Sequence, residues 1–243
     1  AGLDTTTIGL ARALSVQGVR VCTFSTIFDE EHPQTHLPTL DAVPHHDGMD
    51  IKKVKKLFSK GKIDEIVSAI LAKTARLEGN VDVIIMRGVK RDQARVYATR
   101  LNAAISRALS AQIVLVTTPE GDSEFSMEEQ LAITSRPFGG FDHPRVLGCI
   151  INKIQAPKKN TAFGFEQNAS VLSEHELTSY SKGLNLPVIA HVPWHAILSA
   201  PRSVDIARYL NATALDSSKQ GLQHRVKHLL LCSNRLENII QNF

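Results

Sequence analysis

The sequence predicts an α/β fold, doubly wound around a mostly parallel sheet. Three features point to it. Short β-branched and apolar runs recur at residues 19–24, 81–86, 111–117, 146–152 and 186–194. Helical stripes lie between them, as with Ile63, Ile66, Val67, Ile70, Leu71 and Ala75. A glycine turn at Gly2 also runs straight into a helix. Strands alternating with helices at this spacing give parallel sheets with right-handed crossovers. Ligands of such sheets bind beyond the carboxyl ends of the strands.

Each element follows from its own residues. Over residues 3–14, Leu3, Ile8, Leu10, Ala11 and Leu14 share one face of a helix. Asp4 and Thr5 are N-cap types, because their side-chain oxygens accept free first-turn N–H groups. Gly18 closes this helix, and residues 19–24 form a strand. Residues 25–50 are rich in Pro, His and Asp without a period, so a long loop is expected. His32, His36, His45 and His46 fall in it. A solvated loop is preferred there to a metal site, since no rigid element fixes the four rings. The stripe over 63–77 is a helix ended by Gly79 and Asn80, and 81–86 is a buried, near-continuously apolar strand. A helix over 91–109 follows, with Tyr97, Leu101, Ala104, Ile105, Ala108 and Leu109 on one face. Strand 111–117, a shorter helix over 127–135 and strand 146–152 come next. After a loop over 155–170, Ser173 and Glu176 have the spacing of a capping box. Strand 186–194 and a helix over 204–210 complete this unit.

A chain of 243 residues suits one large domain, or one domain and part of a second. It is long enough to bury roughly 70–75% of its unfolded surface. Lys and Arg number 28 against 24 Asp and Glu, a net charge of +4. Lys52, Lys53, Lys55 and Lys56 alternate with Ile51, Val54 and Leu57, the pattern of a solvated helix face rather than a nucleic-acid patch. Cys22, Cys149 and Cys232 lie in apolar runs without CxxC spacing, as reduced core residues do. No run of about 18 apolar residues occurs. With no signal peptide either, a cytoplasmic protein is expected.

The charged positions bear on chemistry. A helix entered from a glycine turn offers free N–H groups and a positive dipole end to an anion. In a Walker phosphate loop the glycine is followed by Lys and then Ser or Thr. Here Gly2 is followed by Leu3 and Asp4. The position of the phosphate-binding lysine is apolar, and that of the magnesium-binding hydroxyl is a carboxylate. Arg87 stands after the strand ending at Met86, where an acidic residue for magnesium or water is expected. Metal-assisted phosphoryl transfer needs both the cation ligands and the phosphate clamp. The pattern is that of a nucleotide pocket with no catalytic residue and no metal ligand. Arg87, with Lys90 and Arg91 beyond it, fits a charged loop better than an anion clamp. Trp194 fits a core or domain-interface position, and no GxSxG elbow supports a hydrolase triad. A phosphate loop is entered from a strand, while Ala1 already lies in the turn. A first strand is therefore expected to have been removed or to precede the numbering.

The run 186–194 with its proline and Trp194, and residues 205–213 after it, resemble the N-terminal region of the long bacterial form of phosphate acetyltransferase. Residues 104–116, Gly148 to Lys153, the tail 225–243 and the first helix fit as well, so the resemblance covers nearly the whole chain. It implies that residues 1–210 are a degenerate P-loop NTPase-like domain similar to dethiobiotin synthetase. Residues 211–243 would be a linker and the beginning of a small α/β DRTGG domain, with short strands over 211–215 and 225–232 and a helix over 234–243. The acetyl-transferring domain, which takes acetyl-CoA and phosphate, would be absent. The resemblance implies a regulatory, assembly-supporting region in a homo-oligomer, with no nucleic-acid or membrane partner. Candidate cofactor-binding residues are Gly2, Asp4, Thr5, Arg87, Asn152 and Lys153, with a nucleotide effector as the ligand left open. Asn152 resembles a purine-reading Asn, or else bonds its own backbone in a strand-end turn; both readings stay open. The rival is an ATP-dependent ligase of the dethiobiotin synthetase type. It needs a Lys in the glycine turn and a carboxylate near Arg87, and the sequence has neither.

Overall fold

The computed structural model describes residues 2–29, 43–90, 97–119, 126–156, 173–195, 197, 200–213, 218, 221–222 and 224–226. Its elements alternate as the sequence predicts. Helix α1 (Leu3–Val16) leads to strands β1 (Val21–Phe28) and β2 (His45–Asp50), then to α2 (Ile51–Ser59) and α3 (Ile63–Ala75). Next come β3 (Val83–Arg87), α4 (Ala98–Ala108), β4 (Ile113–Thr117) and α5 (Met127–Ser135). After these lie β5 (Val146–Ile154), α6 (Glu174–Ser179), β6 (Val188–Pro193) and α7 (Ser203–Tyr209). Two three-stranded sheets result, in the orders β2-β1-β3 and β4-β5-β6. β1 runs parallel to both β2 and β3, and β4 parallel to β5. The chain divides into two units, one of residues 1–154 and 173–192, the other of 155–172 and 193–243.

Apolar periodicity accounts for the packing of the first unit. Phe24, Val54, Ile66, Ile70, Leu101 and Ile105 form the core on one face of the first sheet. Ala11 of α1 packs with Val21 and Val43 and is flanked by Leu14, Val83 and Ile85. Burying aliphatic side chains of this size stabilises by about 1.5–3 kcal/mol each. Lys52, Lys53, Lys55 and Lys56 are exposed on α2 while Ile51 and Val54 are buried, the solvated face that the alternation implied. The capping box of α6 forms: Glu176 N–H donates to Ser173 Oγ at 3.4 Å, and Ser173 N–H to Glu176 Oε2 at 2.8 Å. Cys22 and Cys149 are buried free thiols, and burial pushes both above the ordinary thiol pKa. Trp194 is buried.

One expectation is overturned. Both ends of the loop predicted over 25–50 are strand: β1 continues to Phe28, and residues 45–50 are β2, while 30–42 lie outside the described residues. His-His-Asp-Gly-Met-Asp has neither β-branched residues nor clean alternation, so local propensity gives no strand signal. Pairing with β1 imposes the conformation, with Thr23 opposite His45 and Phe28 opposite Asp50. Gly48 permits it. A Cβ there would lie 2.8 Å from Ser25 O and 2.9 Å from Ile70 Cδ1 and would overlap Thr26 O. His45 and His46 therefore stand on a strand, not in a solvated loop, while His32 and His36 lie outside the described residues. The predicted 91–109 helix is seen from Ala98, since 91–96 lie outside the described residues. The same holds for Cys232, the helix over 234–243 and most of the two short strands expected after residue 210. In that region Arg225 forms an isolated antiparallel bridge with Arg202.

Candidate functional site

The site is built on the turn that opens α1. Gly2 is its N-cap, left-handed at φ 78°, with no side-chain cap. The N–H of Thr6 already donates to Gly2 O at 3.0 Å, so the helix is capped at Gly2, ahead of Asp4 and Thr5, the residues expected to cap it. Asp4 and Thr5 consequently lie inside the first turn, exposed, instead of at the cap. Thr6 and Thr7 are buried and donate their hydroxyls to Gly2 O and Leu3 O at 2.9 and 2.8 Å. A Cβ at residue 2 would overlap Asn152 Nδ2, and Asn152 on β5 is 3% exposed. Only glycine combines this φ with that approach.

Asp4 meets Arg87. The guanidinium Nη1 donates to Asp4 Oδ1 at 2.7 Å, and the two side chains are 13% (Arg87) and 61% (Asp4) exposed. Arg87 closes β3, and its carbonyl accepts from Thr26 Oγ1 at 2.8 Å. Asn102 of α4 clasps the loop that follows: Val89 N–H donates to Asn102 Oδ1 at 2.8 Å, and Asn102 Nδ2 to Val89 O at 2.9 Å. The backbone from Arg87 to Val89 is thus held at both ends, and the guanidinium it carries reaches the first turn of α1. Two residues that each depart from a nucleotide site are partners in one ion pair.

Sheet register extends this polar patch. Asp47, Ser25 and Arg87 occupy one row across β2, β1 and β3. Two rows back, on the same face, His45 stands opposite Thr23. His45 Nδ1 lies 2.9 Å from Thr23 Oγ1, and Nε2 lies 3.2 Å from Asp47 Oδ1 and 3.4 Å from Ser25 Oγ. A carboxylate only accepts, so Nε2 carries the proton and Thr23 donates to Nδ1. Burial, ahead of every charge around it, holds the ring below its ordinary pKa of 6.5; Asp47 opposes the shift and Arg87 and His46 add to it. Ser, His and Asp come together here without triad wiring, because the carboxylate and the serine share one nitrogen. Ser25 and Asp47 were not singled out in the sequence, and His45 was weighed only as one of four histidines in a loop. They are 20 and 2 residues apart in an aperiodic stretch, and only the register gathers them.

The six sequence candidates form two pairs and leave two residues apart. Gly2 joins Asn152, and Asp4 joins Arg87. Thr5 is exposed on α1, and Lys153 adopts a left-handed φ of 60° within β5. Among the described residues no three of His, Cys, Asp and Glu gather as metal ligands, and no helix is long and apolar enough to cross a membrane.

Residues 1–202 match the family model AAA_26, described as an AAA domain. Among curated relatives, a phosphate acetyltransferase of Pseudomonas aeruginosa is 30% identical over 99% of this chain and 35% of its own length. One of Nitrosomonas europaea is 28% identical over 98% of the chain and 34% of its length. One of Haemophilus influenzae is 24% identical over 100% and 36%. The chain therefore spans about a third of the length of the curated relatives it matches. The family match runs through the turn at Gly2 and every strand of both sheets, and the chain belongs to the AAA_26 family of AAA domains.

Proposed function

We propose that this chain is the N-terminal, non-catalytic region of a phosphate acetyltransferase. The whole enzyme would interconvert acetyl-CoA and phosphate with acetyl phosphate and CoA, in the cytoplasm and as a homo-oligomer. The observation that carries the proposal is the lopsided coverage: the relatives match almost all of this chain with only about a third of themselves. The chemistry of acetyl transfer then belongs to the other two thirds. The region would contribute regulation and assembly, through the glycine turn at the start of α1, where the Asp4–Arg87 ion pair takes up the local charges. We assign Gly2, Asp4, Thr5, Arg87, Asn152 and Lys153 to the effector site, and a nucleotide is the class of effector it would sense.

Two assays test this. The isolated chain, given acetyl-CoA and phosphate, is expected to form no acetyl phosphate, and with ATP and magnesium to release no phosphate. The full-length enzyme and a version lacking this region are expected to share the acetyl-transfer reaction and to differ in oligomeric mass or effector response. Turnover by the isolated chain would overturn the proposal. So would a shortened enzyme matching the full-length one in mass, rate and response.

A further inference from the structure

We infer that His45 is a proton sensor for the start of α1: the charge it takes up as pH falls acts on Arg87 and loosens the tie between Arg87 and Asp4. The inference deepens the proposed reading by giving the regulatory region an input, and rests on it in taking the Gly2 turn as the point that is regulated.

The sheet lines these groups up. His45 Nε2 lies 3.2 Å from Asp47 Oδ1 on its own strand and 3.4 Å from Ser25 Oγ on β1. Ser25 stands opposite Arg87 in the register of β1 with β3, so the hydroxyl beside the ring belongs to the residue paired with Arg87. Arg87 Nη1 in turn donates to Asp4 Oδ1 at 2.7 Å. The row therefore runs from β2 across the sheet to the first turn of α1. Little water enters it. Thr23, Ser25 and Thr26 are buried, and the His45 side chain is 7% exposed. Charges set among buried hydroxyls act over distances at which water and salt would mute them.

The ring can also change charge in place. Thr23 Oγ1 lies 2.9 Å from His45 Nδ1 and 3.4 Å from Pro44 O. Its hydrogen points to Nδ1 while the ring is neutral and turns to the carbonyl when Nδ1 gains a proton, so both ring nitrogens keep partners in either state. The charged groups around the ring are Asp47 and His46 from β2 and Arg87 from β3, while β1 contributes the hydroxyls of Thr23 and Ser25. Lys73 of α3 holds the backbone behind Asp47, its Nζ donating to Asp47 O at 3.0 Å. Burial does most to keep the ring neutral; Asp47 favours its charge, and Arg87 and His46 oppose it. Coupling between two sites is mutual, so a proton on His45 opposes Arg87 as much as Arg87 opposes the proton. Asp4, the partner of Arg87 on α1, is 61% exposed, and that water-facing end of the row is the one that yields.

An NMR titration of the isotope-labelled chain tests the inference, with the His45 ring resonances assigned by comparison with His45→Gln. Arg87→Met should move the His45 midpoint up, and Asp47→Asn should move it down. The opposed signs matter: a variant that merely loosened the site would let water reach the ring and raise the midpoint in both cases. In the parent, the amide resonances of Asp4 and Thr5 should show an inflection at the His45 midpoint, and His45→Gln should lack it. If Arg87→Met does not fold, that inflection and its loss decide the matter. An unmoved midpoint in Arg87→Met, an upward shift in both charge variants, or amides of α1 that ignore the His45 titration overturns the inference. A ring that stays neutral until the chain unfolds does so too. The proposed function is judged on acetyl phosphate and oligomeric mass, so the two can fail separately.

Discussion

His45 carries the clearest consequence at the scale of single residues. It is buried, neutral, and wired to Thr23 and Asp47. Its folded pKa lies below 6.5, so the unfolded chain takes up the proton first. The histidine's contribution to stability is therefore complete above pH 6.5 and declines as pH falls from there toward the folded value. Chemical denaturation across pH 5–8 should show this decline in the parent and a flatter profile in His45→Gln. A parent profile as flat as the variant's would refute it. Asp4 and Arg87 illustrate what sequence conveys at this scale. Each was legible as a departure from a phosphate site, on motif spacing alone. Their pairing was not, because 83 residues separate them and only the folded sheet brings the end of β3 to the start of α1. Asn152 was legible as a strand-end residue of interest, and its packing against Gly2 was not.

Among the elements, β2 is the instructive one. Every strand with an apolar run was legible, because burial on both faces of a parallel sheet writes itself as consecutive Val, Ile and Leu. β2 ends its sheet beside β1 and has a composition set by polar contacts, so propensity points elsewhere. What makes it a strand is close backbone approach at Gly48. Gly48→Ala should push β2 away from β1 and the Ile70 side chain, costing about 1–3 kcal/mol as other overpacked interiors do. Urea denaturation measures it; a loss under a few tenths of a kcal/mol would mean the strand shifts freely. Helix ends were partly legible. The Ser173–Glu176 box forms as its spacing implies, while α1 starts on a glycine in place of an oxygen-bearing cap.

Across the whole molecule, the α/β class and parallel pairing were legible, since they follow from continuous apolar runs alternating with 3.6-residue helical stripes. The polar patch at the sheet end was not, since it depends on register between strands distant in sequence. β3 and β4 share one further property. Val-Ile-Ile-Met and Ile-Val-Leu-Val are compositions suited to strands flanked on both sides, yet each stands last in its three-stranded sheet. Neither carries a lysine or proline of the kind with which terminal strands discourage unwanted neighbours, although the pairing of β4 with β5 shifts register between Ile113 and Val114. Such flanks act as adhesive seams for any extended backbone. Concentrated solutions of the isolated chain should therefore scatter light increasingly with time, and hydrogen exchange at Ile84 and Val114 should slow as particles grow. A sample that stays monodisperse at high concentration would show these seams to be closed.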